Sequence, residues 1–527
     1  MASTPQNQPK SGEREHWSSR VGIILAVAGS AIGLGNFLRF PAKVVANGGG
    51  AFLVPYFISL LLLGIPLMWI EWTLGRYGGS IGSGTAPSIF HRLWPKNRFA
   101  KYFGILAILG PILIFAYYTY IESWTLAYSF FSITGKISAI ADQAGMKNFL
   151  KGYQGLERNQ FFNGVGVAYV FFLITFGVNM VTVYYGIRGG IERFCRLAMP
   201  VLFVCAMLLF FRVITLGHFS EVTFDWTVTD GFGFFWNPDF SALLSAKVWL
   251  EAAGQIFFTL SVGTGAILAY ASYLTRKDDV ALSGLTAVSA NELAEVIIGG
   301  SIIIPAAFVF FGPQEMQSIA KAGIFDLGFV TMPLVLNHLP FAELLGFIWF
   351  FLLFLAGVTS SVSLSQPFVA FLEDEFGLSR HKAVALFAGV MFALCHPAIF
   401  FLKNGAVDEM DFWGGSFCLV VFATLETIIF GWVFGIDKAW AEMHQGADIK
   451  IPQAYKFIIK YVTPLFLLII LSVWLVQEWW PVIIMKNVEE ANRPYVLGIR
   501  LMIGAVVVAL IVAVHFAWKR KFGKGEA

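Results

Sequence analysis

The chain has 527 residues, of which 57% are hydrophobic and 13% charged, with a mean hydropathy of +0.72. Soluble globular proteins carry about 25% charged residues, so this composition points away from a soluble protein and toward a polytopic membrane protein. The 36 basic and 33 acidic residues nearly balance, which implies no nucleic-acid partner. The four cysteines, Cys195, Cys205, Cys395 and Cys418, lie in or beside apolar runs without metal or disulfide spacing. The eight histidines form no HxxxH or HExxH pair. The polar start, MASTPQNQPKSGEREHWSSR, reads as a cytoplasmic segment over 1–19 with no cleavable signal peptide expected. Its Arg14, His16 and Trp17, with Arg20, suit an interface anchor before the first span.

The first span, RVGIILAVAGSAIGLGNFLRFPAKVV, has the length of a transmembrane helix but a soft middle. Gly29, Ser30, Gly33, Gly35 and Asn36 fall within eight residues, and Arg39 and Pro41 follow. Unpaired backbone groups are very costly in lipid, so an unwound middle must be buried and satisfied, and ions with a polar ligand suit that need. The plain alternative is a glycine-rich packing face. Further spans are expected at about 51–70, 103–131, 165–185 and 197–211. Residues 132–160 read as a polar loop, and a long mixed loop runs to about 245.

The sixth span starts near Trp249 and repeats the soft middle, with Gly263 and Gly265 among Thr259, Ser261 and Thr264. The seventh, at about 282–310, holds Asn291, Glu292 and Glu295, and residues 311–340 read as a loop or re-entrant hairpin. The eighth, at about 341–372, carries Thr359, Ser360, Ser361, Ser363 and Ser365. The last four are expected at 383–402, 412–433, 461–482 and 496–518. Basic residues gather in one set of loops, including Arg188, Arg193, Arg276, Lys277, Arg380 and Lys438, and in the tail. The positive-inside rule then makes both termini cytoplasmic, in a cell inner or plasma membrane. Two glycine-broken spans five apart suggest inverted repeats around a central site, one over 20–218 and one over 245–435, with the spans of 455–518 and the 519–527 tail outside them.

The blocks REHWSSRVGIILAVAGSAIGLGNFLRFP, NGGGAFLVPY, GIPLMWIEWTLGRYGG, YYTYIESWTL, GQIFFTLSVGTGA, SGLTAVSANELAEV, FLLFLAGVTSSVSLSQP and DEMDFW extend from residue 14 to residue 413. In these blocks the chain resembles the neurotransmitter:sodium symporter family, and its bacterial amino-acid branch in particular. The resemblance implies an all-α membrane protein of twelve transmembrane helices with the LeuT fold. It also implies sodium-coupled symport of a neutral amino acid by alternating access, with two sodium ions per cycle and no enzymatic activity.

Carried over residue by residue, the resemblance puts a first sodium ion at Asn36, Thr259, Asn291 and the Ala31 carbonyl, completed by the substrate carboxylate. It puts a second at Thr359, Ser360 and the carbonyls of Gly29, Ile32 and Ala356. Sodium is a hard cation, and these positions offer oxygen. Ser361, Ser363 and Ser365 read instead as helix-packing hydroxyls. The substrate carboxylate would meet amides near Gly33 to Gly35 and the Tyr118 hydroxyl. The ammonium would meet carbonyls near Ser30, Phe258 and Thr259 and the Ser261 hydroxyl. Ile114, Phe258, Thr264, Ser360 and Leu364 would shape the side-chain pocket, while Tyr117 and Tyr120 read as packing residues.

The family's bacterial leucine-transporting pattern has Asn where this chain has Ser30, and Phe where it has Thr264. The second change implies a larger pocket and bulky apolar or aromatic substrates. The outer gate would be Arg39 and Asp411 with Gln255 nearby and Phe258 as lid. The inner gate would be Arg14 and Asp374, with Trp17, Ser272, Tyr273 and Gln366. Glu295 would replace the chloride that animal members require, and Glu71 would brace the unwound part of span 1. The alternatives are a proton-coupled or loosely coupled carrier, and an amino-acid-gated channel or sensor.

Overall fold

The computed structural model describes residues 15–216, 226–323 and 325–522. Among these residues ten helices are long and apolar enough to cross a bilayer, and the bent pair Arg20–Ala31 and Gly35–Ala46, at 45°, makes eleven. The sixth expected span completes twelve. It is split into Ala246–Leu260 and Ala266–Ala271, each half too short to cross alone. The break is written in the backbone: Ser261, Gly263 and Gly265 have φ of 54°, 76° and 79°, outside the helical region.

Span 1 is thus Arg20–Ala46, and spans 2 to 5 are Gly49–Ser80, Ala100–Ile133, Gly166–Tyr184 and Ile187–Ile214. Spans 7 to 12 are Ala281–Lys321, Ala342–Phe376, Arg380–Phe400, Ala406–Val433, Ala454–Gln477 and Glu490–Lys521. Spans 3 and 8 form the most extensive helix pair and the centre of the bundle. Their close approach depends on Gly357, where a Cβ would stand 2.6 Å from Glu122 Cγ. Burial grades outward: the best apolar window of span 3 is 94% buried, that of span 12 only 22%. Spans 9, 11 and 12 therefore present most of their apolar surface to lipid, and spans 1, 3, 6 and 8 present theirs to each other.

Three stretches read from sequence as loops are partly helical. Residues 311–340 are mostly helical. The helix of span 7 continues through a kink at Gly312 (φ 66°, ψ 173°), and Leu327–Asn337 forms a second helix over the bundle. Gly312 followed by Pro313 turns the chain there, because proline withholds the N–H that would continue the ladder. Within 132–160, Gln143–Tyr153 is helical and capped by Asp142, which accepts from the Gly145 amide. Val228–Trp236 is helical behind a capping box of Thr227 and Asp230.

Candidate functional site

The break in span 1 creates the site. Ile32 leaves helical geometry at ψ 89°, so the carbonyls of the preceding turn lose their helical partners. Side chains from other spans take some of them. Ser261 Oγ donates to the Ser30 carbonyl at 2.8 Å, and Ser360 Oγ reaches the carbonyls of Ser30 and Gly29 at 3.1 and 3.3 Å. A half-helix C-terminus carries partial negative charge and suits a cation. On the other side of the break, the Gly33 amide donates to Asn36 Oδ1 at 2.8 Å and the Leu34 amide to Tyr118 Oη at 3.0 Å. Only glycine fits at 33, since a Cβ would lie 2.7 Å from Ser360 Oγ and 2.9 Å from Tyr118 Oη.

Asn36, Thr259 and Asn291 converge from spans 1, 6 and 7. Asn36 Nδ2 donates to Asn291 Oδ1 at 2.8 Å and to Thr259 Oγ1 at 3.2 Å, and Asn291 Nδ2 donates to Thr259 Oγ1 at 3.1 Å. Glu295 stands directly behind them. Its carboxylate accepts from Thr259 Oγ1, from Gln255 Nε2 at 2.5 Å, from Tyr56 Oη at 2.8 Å and from Asn291 Nδ2 at 3.4 Å. All four polar residues Asn36, Gln255, Asn291 and Glu295 are buried. Thr359 lies one turn from this break: its Oγ1 donates to the carbonyls of Leu355 and Ala356, each at 3.1 Å, and its Cβ packs against Gly29. Ser365 and Ser363 bond back to their own helix, Ser363 also meeting Ser30 Oγ at 2.6 Å, and Ser361 donates to Asn179 Oδ1 at 2.6 Å.

A cavity of about 40 Å³ sits at the break, and every residue expected to shape the side-chain pocket lines it: Ile114, Phe258, Thr264, Ser360 and Leu364. Ser30, Ala31, Gly33, Gly35, Asn36, Tyr118 and Ser261 complete the polar part. Phe257 and Leu419 also line it, and neither is expected from the sequence. Each is an apolar residue in an apolar helix and carries no signal there. Thr264 folds back onto the broken backbone, donating to the Ser261 carbonyl at 2.6 Å and accepting from the Ala266 amide at 3.1 Å.

Above this cavity lies a second, of about 150 Å³, lined by Arg39, Asp411, Asp408, Tyr117 and Phe325. Phe258, Tyr118 and Gly35 line both cavities, so they form the partition. Arg39 stacks on the Phe258 ring with its guanidinium carbon 4.4 Å from the centroid, an attraction of about 0.5–2 kcal/mol depending on hydration. Arg39 and Asp411 face the same cavity without forming an ion pair among the described residues.

Three expectations are refined here. Asp411 accepts from Tyr117 Oη at 2.5 Å, so Tyr117 is more than a packing residue. Gln255, expected near the outer gate, turns its amide to Glu295, a buried carboxylate and a strong acceptor. Glu71 braces span 6 rather than span 1: its Oε1 accepts from the Gly263 amide at 2.5 Å.

On the other side of the break, Trp17 packs against span 6. Its Nε1 donates to the Tyr270 carbonyl at 3.0 Å, and the two rings meet edge to face at 5.3 Å. Gln366 Nε2 donates to Tyr273 Oη at 2.6 Å, and Arg380 Nη2 donates to Gln366 Oε1 at 3.0 Å. Arg20 reaches Asp279 at 2.9 Å and also pairs with Asp448. Asp374 accepts from the Gly84 amide at 2.8 Å. Its expected partner Arg14 lies outside the described residues. The contacts of Arg380, Arg20, Asp279 and Asp448 are not expected from the sequence, where each reads as one more charge beside a span end.

Similarity to known proteins agrees with this geometry. Residues 14–144 and 141–520 match the sodium:neurotransmitter symporter family. The chain belongs to that family. A sodium-dependent transporter of Methanocaldococcus jannaschii is 34% identical over 86% of this chain and 89% of its own length. The sodium-dependent serotonin transporter of Drosophila melanogaster is 27% identical over 87% of this chain and 76% of its own. The crystal structure of MhsT in complex with L-phenylalanine superposes with a TM-score of 0.74 at 30% identity, covering 87% of this chain and 99% of that one. This symporter is therefore a transporter and not an enzyme. Among its described residues no group of three or more His, Cys, Asp or Glu is arranged to hold a metal ion.

Proposed function

We propose that this symporter carries two sodium ions and one neutral amino acid with a bulky apolar or aromatic side chain through the break of spans 1 and 6. The convergence of Asn36, Thr259 and Asn291 in front of Glu295 carries the reading. Neutral oxygens in front and a fixed carboxylate behind are what a hard monovalent cation needs. The first ion sits at Asn36, Thr259, Asn291 and the Ala31 carbonyl. The second sits at Thr359, Ser360 and the carbonyls of Gly29, Ile32 and Ala356. The substrate lies in the cavity of Ile114, Tyr118, Phe258 and Leu364, its ammonium toward the Ser30 carbonyl and its carboxylate toward the Gly33–Gly35 amides and the first ion. Spans 1–5 and 6–10 act as inverted repeats, and both termini are cytoplasmic.

Coupling is tested in proteoliposomes. Two sodium ions moving down a tenfold gradient supply about 1.4 kcal/mol each, and a potential of about 100 mV adds about 2.3 kcal/mol per charge, roughly 7.4 kcal/mol in all. Sodium-driven vesicles should concentrate the amino acid far above the outside level. Equilibration without accumulation under both gradients would indicate a channel or an uncoupled carrier.

One observation favours a proton-linked second reading. The Tyr56 hydroxyl lies 2.9 Å from Glu292 and 2.8 Å from Glu295. A single phenolic hydrogen serves only one of them, so the pair accommodates a further proton. Uphill uptake with sodium absent would establish that reading.

The aromatic preference rests on Thr264, and support comes from the phenylalanine named in the MhsT complex. Thr264→Phe should return a ring to the cavity and shift competition toward smaller aliphatic substrates. A misfit of one methylene is worth about 10–200-fold. Sodium dependence should persist, because Thr264 is not among the proposed ligands. Competition of neutral amino acids against radiolabelled phenylalanine reads this out. Weak binding of phenylalanine and tryptophan to the unmodified protein, with tight leucine and alanine binding, would end the enlarged-pocket argument.

A further inference from the structure

Between spans 3, 10 and 12, outside the transport pathway, runs an apolar groove of about 430 Å³. Leu106 and Leu109 of span 3, Phe417 and Cys418 of span 10, and Ile503 and Val507 of span 12 form much of its wall. Gly504 deepens it, since a Cβ there would meet nothing within 4 Å. All three walls are membrane spans, so the groove opens to hydrocarbon. The medium that fills it is an acyl chain. In lipid, apolar burial alone does not distinguish one chain from the bulk bilayer; packing and a headgroup contact must do so.

The two ends of the groove differ in charge. At one end Arg500 is fully engaged: it donates to Glu409 at 2.5 Å and to the carbonyls of Ile483 and Val482, each at 2.6 Å. At the other end Tyr102 lines the groove, with its hydroxyl 3.4 Å from His515 Nδ1. Lys519 follows His515 by one helical turn, and both are exposed. Neither His515 nor Lys519 has a carboxylate partner among the described residues. Behind them the Lys101 ammonium lies over the Tyr102 and Trp518 rings, 5.4 and 5.5 Å from their centroids. This end carries the exposed Lys519 ammonium with the Lys101 ammonium behind it, which favours an anionic phosphate.

We propose that this groove binds one phospholipid, with an acyl chain along Leu109, Phe417 and Gly504 and an anionic headgroup at His515 and Lys519. Its floor is the π-helical turn Phe412–Cys418, which lies between Asp411 of the outer gate and Leu419 of the substrate cavity. The bound chain thus packs against a segment that joins the walls of the two pathway cavities.

The test uses the full chain, purified and delipidated in mild detergent, with native mass spectrometry after addition of dioleoylphosphatidylglycerol or dioleoylphosphatidylcholine. The expected result is a one-to-one phosphatidylglycerol adduct held more tightly than phosphatidylcholine. Gly504→Phe should reduce the adduct at least tenfold, and His515→Ala with Lys519→Ala should weaken phosphatidylglycerol about fivefold or more while sparing phosphatidylcholine. Val507→Trp, which fills the groove from the same helix, decides the matter if Gly504→Phe does not fold. An adduct unchanged by filling the groove overturns the site. Equal retention of the two lipids overturns the headgroup assignment.

Discussion

Asn36→Ala should weaken sodium-dependent substrate binding by about 100-fold or more. The side chain is fully buried and makes three bonds: it accepts from the Gly33 amide and donates to Asn291 and Thr259. Truncation leaves those partners unsatisfied, at about 1–3 kcal/mol for each buried group, and removes an oxygen from the proposed first sodium site. A net loss of about 3 kcal/mol corresponds to roughly 150-fold. Equilibrium binding of radiolabelled phenylalanine at stepped sodium concentrations measures it, as a shift of the sodium midpoint. Thr359→Val is the companion. It keeps the shape of the side chain and removes its Oγ1, so it should shift the midpoint while leaving the Asn36 cluster intact. An unchanged midpoint in Asn36→Ala, with the protein folded, would remove the first site from this position.

The glycine-broken spans and the polar residues around them are legible in the sequence, while a place for Trp17 against the bundle comes only through the family resemblance. Backbone breaks and polar side chains inside apolar runs are costly in lipid, so they persist only where something satisfies them. What is not legible is the choice of partner. Gln255 is a polar residue in the apolar first half of span 6, and only packing decides that it turns to the Glu295 carboxylate. Tyr117 and Tyr118 are adjacent and chemically alike. The helix sends one to Asp411 and the other to Leu34, since successive residues point about 100° apart. Glu71 is followed by no signal that names span 6 rather than span 1, and the Gly263 amide is exposed only because the backbone breaks there. The helices after Gly312 escape the sequence for a related reason: the Gly312-Pro313 pair reads as the end of a span, although a helix resumes after the kink and Leu327–Asn337 follows.

Glu295 carries the other large effect. In the unmodified protein, uptake should be the same in sodium gluconate as in sodium chloride. Four side chains donate to this carboxylate, and two of them, Thr259 and Asn291, are proposed sodium ligands. A negative charge is therefore built in next to the ion. At an effective dielectric of about 20 and a separation of about 4 Å, such a pair is worth about 4 kcal/mol. Glu295→Ser removes the charge but leaves the donors of Tyr56, Gln255, Thr259 and Asn291 converging on the released volume, which is a cradle for a halide. Transport by this variant should fall about 100-fold in gluconate and recover as chloride is added. Glu292 complicates the outcome because it shares Tyr56 and lies one turn away. If its carboxylate swings into the space, Glu295→Ser retains chloride-independent transport, and the double variant with Glu292→Gln should then restore the chloride requirement. Uptake by the unmodified protein that collapses in gluconate, or a folded double variant indifferent to chloride, would remove Glu295 as the fixed anion.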